Sequence, residues 1–140
     1  MVKQAEADAM KRLAEIVGEN ACSGKVGLLE QYASCAGMAA QGEPSLVVKP
    51  GDARQVRQIV LLARDLDLNL VSVSSAPPGN RGGSIPSGEG IIVDLSGMDE
   101  ISRVDRRNKV AIIEPGVSFP GLIQAADKAG LKVLMPFLPR

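Results

Sequence analysis

Residues 45–74, SLVVKPGDARQVRQIVLLARDLDLNLVSVS, decide the fold. The opening run SLVV is short and apolar and is closed by Pro50 and Gly51, which reads as a strand ended by chain breakers. Asp52 then stands three residues before Gln55, the spacing of a capping box at a helix start. Val56, Ile59, Val60, Leu62 and Ala63 recur on one helical face, while Arg54, Arg57 and Arg64 lie largely elsewhere. A second apolar strand is predicted over residues 68–74. Strand, helix and strand at this spacing make a βαβ unit, whose crossover joins parallel strands in the right-handed sense. The chain is therefore predicted to be α/β.

What leaves this unit is a loop over residues 74–90, SSAPPGNRGGSIPSGEG, followed by the apolar run IIVDL. A loop this long inside a compact domain is usually either functional or disordered. It departs from the carboxyl end of a parallel strand, the edge where open α/β sheets bind ligands. Gly82 and Gly83 let another group approach the main chain, and prolines stand towards both ends. A concave run of main-chain N–H groups from Gly79 to Ser84 suits a phosphate or pyrophosphate. A surface loop that binds nothing is the competing reading. The stretch has neither the Gly-Lys-Ser/Thr of a P-loop nor a GxGxxG fingerprint.

Outward from the loop, IIVDL is predicted to be a third strand, with a turn over residues 96–98. EISRVD and KVAIIEPGV read as a hairpin whose second strand is half-buried, ended by Pro115 and Gly116. Ser118 can cap a helix over residues 119–129, with Pro120 tolerated in its first turn and Gly130 as the stop. LKVLM is predicted to be a last strand, and the apolar PFLPR after it leads one to expect more polypeptide or a partner. At the other end, residues 3–17 form an amphipathic helix with a small apolar stripe, suited to the edge of the fold or to a partner chain. Residues 19–44 carry no clear period and read as irregular, with a helical turn around residues 28–32.

The 140 residues suit one domain with its own core. With 16 basic and 16 acidic residues the net charge is zero, and there are 2 Phe, 1 Tyr and no Trp. A nucleic-acid partner is not expected, for want of both a basic surface and base-stacking rings. No apolar run approaches the roughly 20 residues that span a bilayer, and the first residues lack the apolar core of a signal peptide. Cys22 and Cys35 are expected to be reduced thiols of a cytoplasmic protein. Histidine is absent, so this chain cannot itself supply Ser-His or Cys-His catalysis or a histidine metal ligand. Asp94, Asp99, Glu100 and Asp105 lack metal-ligand spacing and read as a solvated rim.

In this order the pieces resemble the first half of the FAD-binding domain of FAD-linked oxidases of the vanillyl-alcohol oxidase and p-cresol methylhydroxylase type. Glycolate oxidase and D-lactate dehydrogenase flavoproteins are similar in style. The resemblance covers residues 32–140 and rests on SLVVKPGDARQVRQIVLLARDLDLNLVSVS, on GGSIP, and on GIIVDLSGMDEISRVDRRNKVAIIEPGV with its EPGV. It implies a lead-in over residues 1–44, an incomplete FAD-binding domain over residues 45–140, and FAD as cofactor. Gly82 and Gly83 match the paired glycines of the pyrophosphate loop, Ser84 and Pro86 its closing residues, and Gly79, Asn80 and Arg81 its amide-donating middle. Arg81 would add charge compensation. The implied activity is oxidation of a small alcohol or 2-hydroxy acid, with the substrate bound in a further domain or partner chain. No catalytic residue and no metal ligand is assigned to this chain, and a homo-oligomer or partner subunit is compatible with it. Where the family often has Arg-Gly-x-Gly, this chain has Ser74, Ser75, Ala76 and Pro77, so two glycines are replaced and Pro77 has no N–H to donate. That departure motivates a second reading, a non-catalytic interaction module with the same fold and lost or weakened FAD binding.

Overall fold

The computed structural model describes residues 2–33, 44–74 and 88–134, which fall into two compact units, Met1–Gly97 and Met98–Arg140. In the first unit the strand-helix-strand reading holds, with β2 at Pro44–Val48, α3 at Ala53–Asp65 and β3 at Leu70–Val73. β4, Gly90–Asp94, lies between β2 and β3 and pairs with both in parallel. A two-residue β1, Cys22–Ser23, adds antiparallel to the free side of β2, giving the order β1-β2-β4-β3.

Alternation along these strands sorts their side chains onto two faces. Leu46, Val48, Ile91 and Val93 point to one face, where they meet Ile59 and Leu62 of α3 and Leu13 of α1, Val2–Val17. Val47, Ile92 and Val73 point to the other, where Tyr32 of α2, Val26–Ala33, covers them. Both faces of β4 are thus buried, which is why its sequence is a continuous apolar run. The stripe of α1 packs on the sheet beside α3. The region read as irregular contains β1, which its small residues conceal, and the helical turn expected around residues 28–32 is part of the longer α2.

Helix α3 begins and ends on local chemistry. The Asp52 carboxylate accepts from the Gln55 amide at 2.7 Å, while the Gln55 side chain reaches back to accept from the Gly51 amide at 2.7 Å. This is the reciprocal capping arrangement, shifted by one residue. At the far end Asp67 takes a left-handed conformation, φ 52°, and the Leu68 amide donates back to the Ala63 carbonyl at 2.8 Å. That closing turn delivers the chain into β3. Asp52→Ala is expected to cost about 1 kcal/mol. Urea unfolding would check this, and an unchanged midpoint would show that the cap contributes nothing.

The second unit holds the hairpin of β5, Ile101–Asp105, and β6, Val110–Ile113, followed by α4, Phe119–Lys128. Asp105 organises the turn by accepting from the main-chain N–H groups of Arg107 and Asn108, both at 3.0 Å. The Ser118 side chain caps α4 by accepting from the Gly121 amide at 3.3 Å. Two expectations change in this unit. All four residues of β6 are exposed instead of half-buried, Ile112 at 56%. Residues 131–134 form no strand, because no strand among the described residues pairs with them, and Leu134 is 92% exposed.

Candidate functional site

The carboxyl edge of the parallel strands is built from the ends of β2, β3 and β4. Val73, the last residue of β3, lies in register with Asp94, the last residue of β4. The Leu95 amide donates to the Val73 carbonyl at 2.7 Å, so pairing continues to the point where the long loop departs. The loop returns at the opposite edge. There the Ile91 amide donates to the Asn69 carbonyl at 2.9 Å, the Asn69 side-chain amide to the Glu89 carbonyl at 3.3 Å, and the Ser45 hydroxyl to the Gly90 carbonyl at 3.3 Å. The two anchors are therefore one strand length apart, about 15 Å. Gly79, Asn80, Arg81, Gly82, Gly83, Ser84 and Pro86 fall between them and lie outside the described residues, as does Cys35.

Beside the departing end sits a polar cluster that the sequence reading missed. Asp94 is fully buried, correcting its assignment to a solvated rim. The Tyr32 hydroxyl donates to Asp94 Oδ2 at 2.6 Å, Lys49 Nζ lies 3.2 Å from the same oxygen, and the Ser96 amide donates to Oδ1 at 2.9 Å. Burial pushes the Asp94 carboxyl up, but the hydrogen bonds from Tyr32, Ser96 and Lys49 outweigh it and hold the group below its ordinary value. Burial, together with the neighbouring Asp94, raises the Tyr32 hydroxyl well above its ordinary value, so it remains a donor. The parallel register explains the meeting. Val48 pairs with Val93, which brings the next residues, Lys49 and Asp94, side by side on the Tyr32 face. The available signal was two apolar runs, LVVK and IIVD, ending in opposite charges.

Cys22 is buried and unpaired, and burial raises its thiol above the ordinary value, the setting of an inert core cysteine. Among the described residues no group of acidic or cysteine side chains could hold a metal ion, and no helix is long and apolar enough to cross a membrane. An open groove between α1 and α3, lined by Arg12, Glu15, Arg54 and Asp65 among others, lies over the face opposite Tyr32 and carries mixed charge.

A mainly parallel sheet with helices on both faces and a glycine-rich connection leaving its carboxyl edge makes the first unit an open α/β fold. Residues 44–137 match the FAD binding domain family, and the chain belongs to it. It is 35% identical over 89 residues to a D-lactate dehydrogenase of Archaeoglobus fulgidus, a match covering 64% of this chain and 20% of that protein. Its identity to the 4-cresol dehydrogenase [hydroxylating] flavoprotein subunit of Pseudomonas putida is 26% over 95 residues, 67% of this chain and 18% of the relative. The fold is that of p-cresol methylhydroxylase, with a TM-score of 0.82 at 21% identity over 96% of this chain and 27% of that one. The chain thus spans about a fifth to a quarter of the length of the curated relatives it matches.

FAD is the cofactor of this family. The described residues suit a ligand carrying a pyrophosphate in one respect. The buried charge at the loop's departure, Asp94, is matched by Lys49 and by two hydrogen-bond donors, so no unbalanced carboxylate stands there to repel an anion. The Lys49 side chain is itself about half exposed.

Proposed function

We propose that this chain supplies the pyrophosphate-holding part of an FAD site in an oxidoreductase acting on a small alcohol or a 2-hydroxy acid. The observation that carries the reading is the placement of the 74–90 connection. It leaves β3 at the carboxyl edge, in register with Asp94, and contains the paired glycines Gly82 and Gly83. Main-chain N–H groups of Gly79, Asn80, Arg81, Gly82, Gly83 and Ser84 would hold the pyrophosphate, Pro86 would close the loop, and Arg81 would offset charge. When bound, FAD supplies the two-electron redox chemistry, and the protein binds and orients it. The similarity to D-lactate dehydrogenases favours a 2-hydroxy acid as substrate. Residues 45–140 would form the cofactor-binding portion, with residues 1–44 as a lead-in whose helices α1 and α2 cover its sheet. The substrate would be bound by a further domain or a partner chain. The buried, unpaired Cys22 is compatible with a reducing cytoplasm.

The purified protein mixed with FAD and freed of excess cofactor is expected to retain a protein-bound flavin absorption spectrum. Absence of flavin absorbance after this treatment would favour the non-catalytic interaction module, for which the Ser75 and Pro77 replacements are the specific observation.

A further inference from the structure

We propose that Tyr32, Asp94 and Lys49 are positioning residues for the cofactor loop, fixing the carboxyl edge at the point where the loop departs without touching FAD. The inference rests on the reading of residues 74–90 as the FAD loop. Three separate segments converge on one buried carboxylate: the end of α2 through Tyr32, the end of β2 through Lys49, and the end of β4 through Asp94 itself. Asp94 stands in register with Val73, one residue before the loop begins, and Leu95 clasps the Val73 carbonyl. The Ser96 amide, held by Asp94 Oδ1, turns the chain at the end of β4. A displacement of Asp94 would therefore pass directly to the loop's first anchor.

The cluster is also unlike the rest of this unit's interior. Among the described residues Asp94 is the one buried charged side chain, and on the opposite face Leu13, Cys22, Ile59 and Leu62 pack against Leu46, Val48, Ile91 and Val93. A buried ionic group is weak as a source of stability, since apolar packing of similar volume does as well or better. What it adds is a fixed geometry. The buried Tyr32 hydroxyl and the Ser96 amide each take one of the Asp94 carboxylate oxygens, so these three groups hold one arrangement, with the half-exposed Lys49 beside it. A main-chain anion cradle requires that kind of fixed starting point, because each of its N–H groups has to meet its oxygen without reorganisation.

The test compares FAD affinity with fold stability in the whole protein, using fluorescence quenching of added FAD alongside thermal melting. Tyr32→Phe keeps the ring and removes the hydroxyl, and is expected to weaken FAD binding about tenfold while a cooperative melt is retained. Lys49→Met is expected to weaken binding in the same direction, and Lys49→Arg to restore most of it. Ile59→Val, on the opposite face, lowers the melting temperature without touching the cluster and is expected to keep FAD affinity within about twofold of the parent. Parent-like FAD affinity in Tyr32→Phe and Lys49→Met would overturn the proposal. So would an affinity loss in Ile59→Val as large as that in Tyr32→Phe, since the effect would then follow stability alone. A parent protein that takes up no FAD would overturn the underlying cofactor reading, and the positioning role with it.

Discussion

Asp94→Ala is expected to destabilise the protein by about 3 kcal/mol, from the loss of a buried, fully partnered carboxylate. The Tyr32 hydroxyl, on a side chain 1% exposed, would be left without its acceptor, and the Ser96 amide would lose its partner. Lys49, being half exposed, can turn to water, which keeps the loss below that of a fully buried ion pair. The effect should also depend on pH in a definite sense. The folded-state carboxyl lies below its ordinary value, so its contribution is complete above the ordinary carboxylate range of about 4 and fades as pH falls through the folded value. Urea midpoints of the parent should therefore drop towards acid more steeply than those of Asp94→Ala, and the gap between the two should narrow. A parent and variant separated by the same amount at pH 7 and pH 3 would contradict the assignment of a stabilised carboxylate.

Gly83→Val is expected to abolish FAD retention and leave the fold largely intact. A pyrophosphate accepts several main-chain hydrogen bonds where no side chain intervenes, and a branched side chain in the cradle would hold it away. The cores at Leu13, Ile59 and Leu62 and at Tyr32, Val47 and Ile92 are built from other segments, so the far-ultraviolet spectrum and the melt should change little. Normal FAD retention by this variant would show that the loop has been misassigned.

The central strand-helix-strand unit was legible because each signal is local. Breakers at Pro50 and Gly51, a capping pair at Asp52 and Gln55, and a period of 3.6 over residues 56–63 all lie within a few residues of what they cause. The insertion of β4 between β2 and β3 depends on pairing between distant segments and leaves no local mark. Asp94 was misread for that reason. In sequence it is one of four acidic residues leading into a hairpin, and what buries it is a tyrosine 62 positions away and a lysine brought alongside by register. Strand β1 is hidden by small residues that carry little hydrophobic period, and only the middle of α2, around residues 28–32, is legible as a helical turn. Val110, Ile112 and Ile113 read as strand and form one, but their exposure is a property of what packs on them, which the pattern does not encode. The glycines of the 74–90 connection stand out in composition, and the register places its two ends, at Val73 and Gly90.

The central claim is that the 74–90 connection holds a pyrophosphate, and calorimetric titration of the protein with FAD and, separately, with riboflavin tests it most directly. Riboflavin carries the same isoalloxazine ring but no phosphate. FAD is expected to bind at least about a hundredfold more tightly than riboflavin, an advantage removed by Gly83→Val. Equal affinities for the two, or no binding of FAD at all, would contradict the claim.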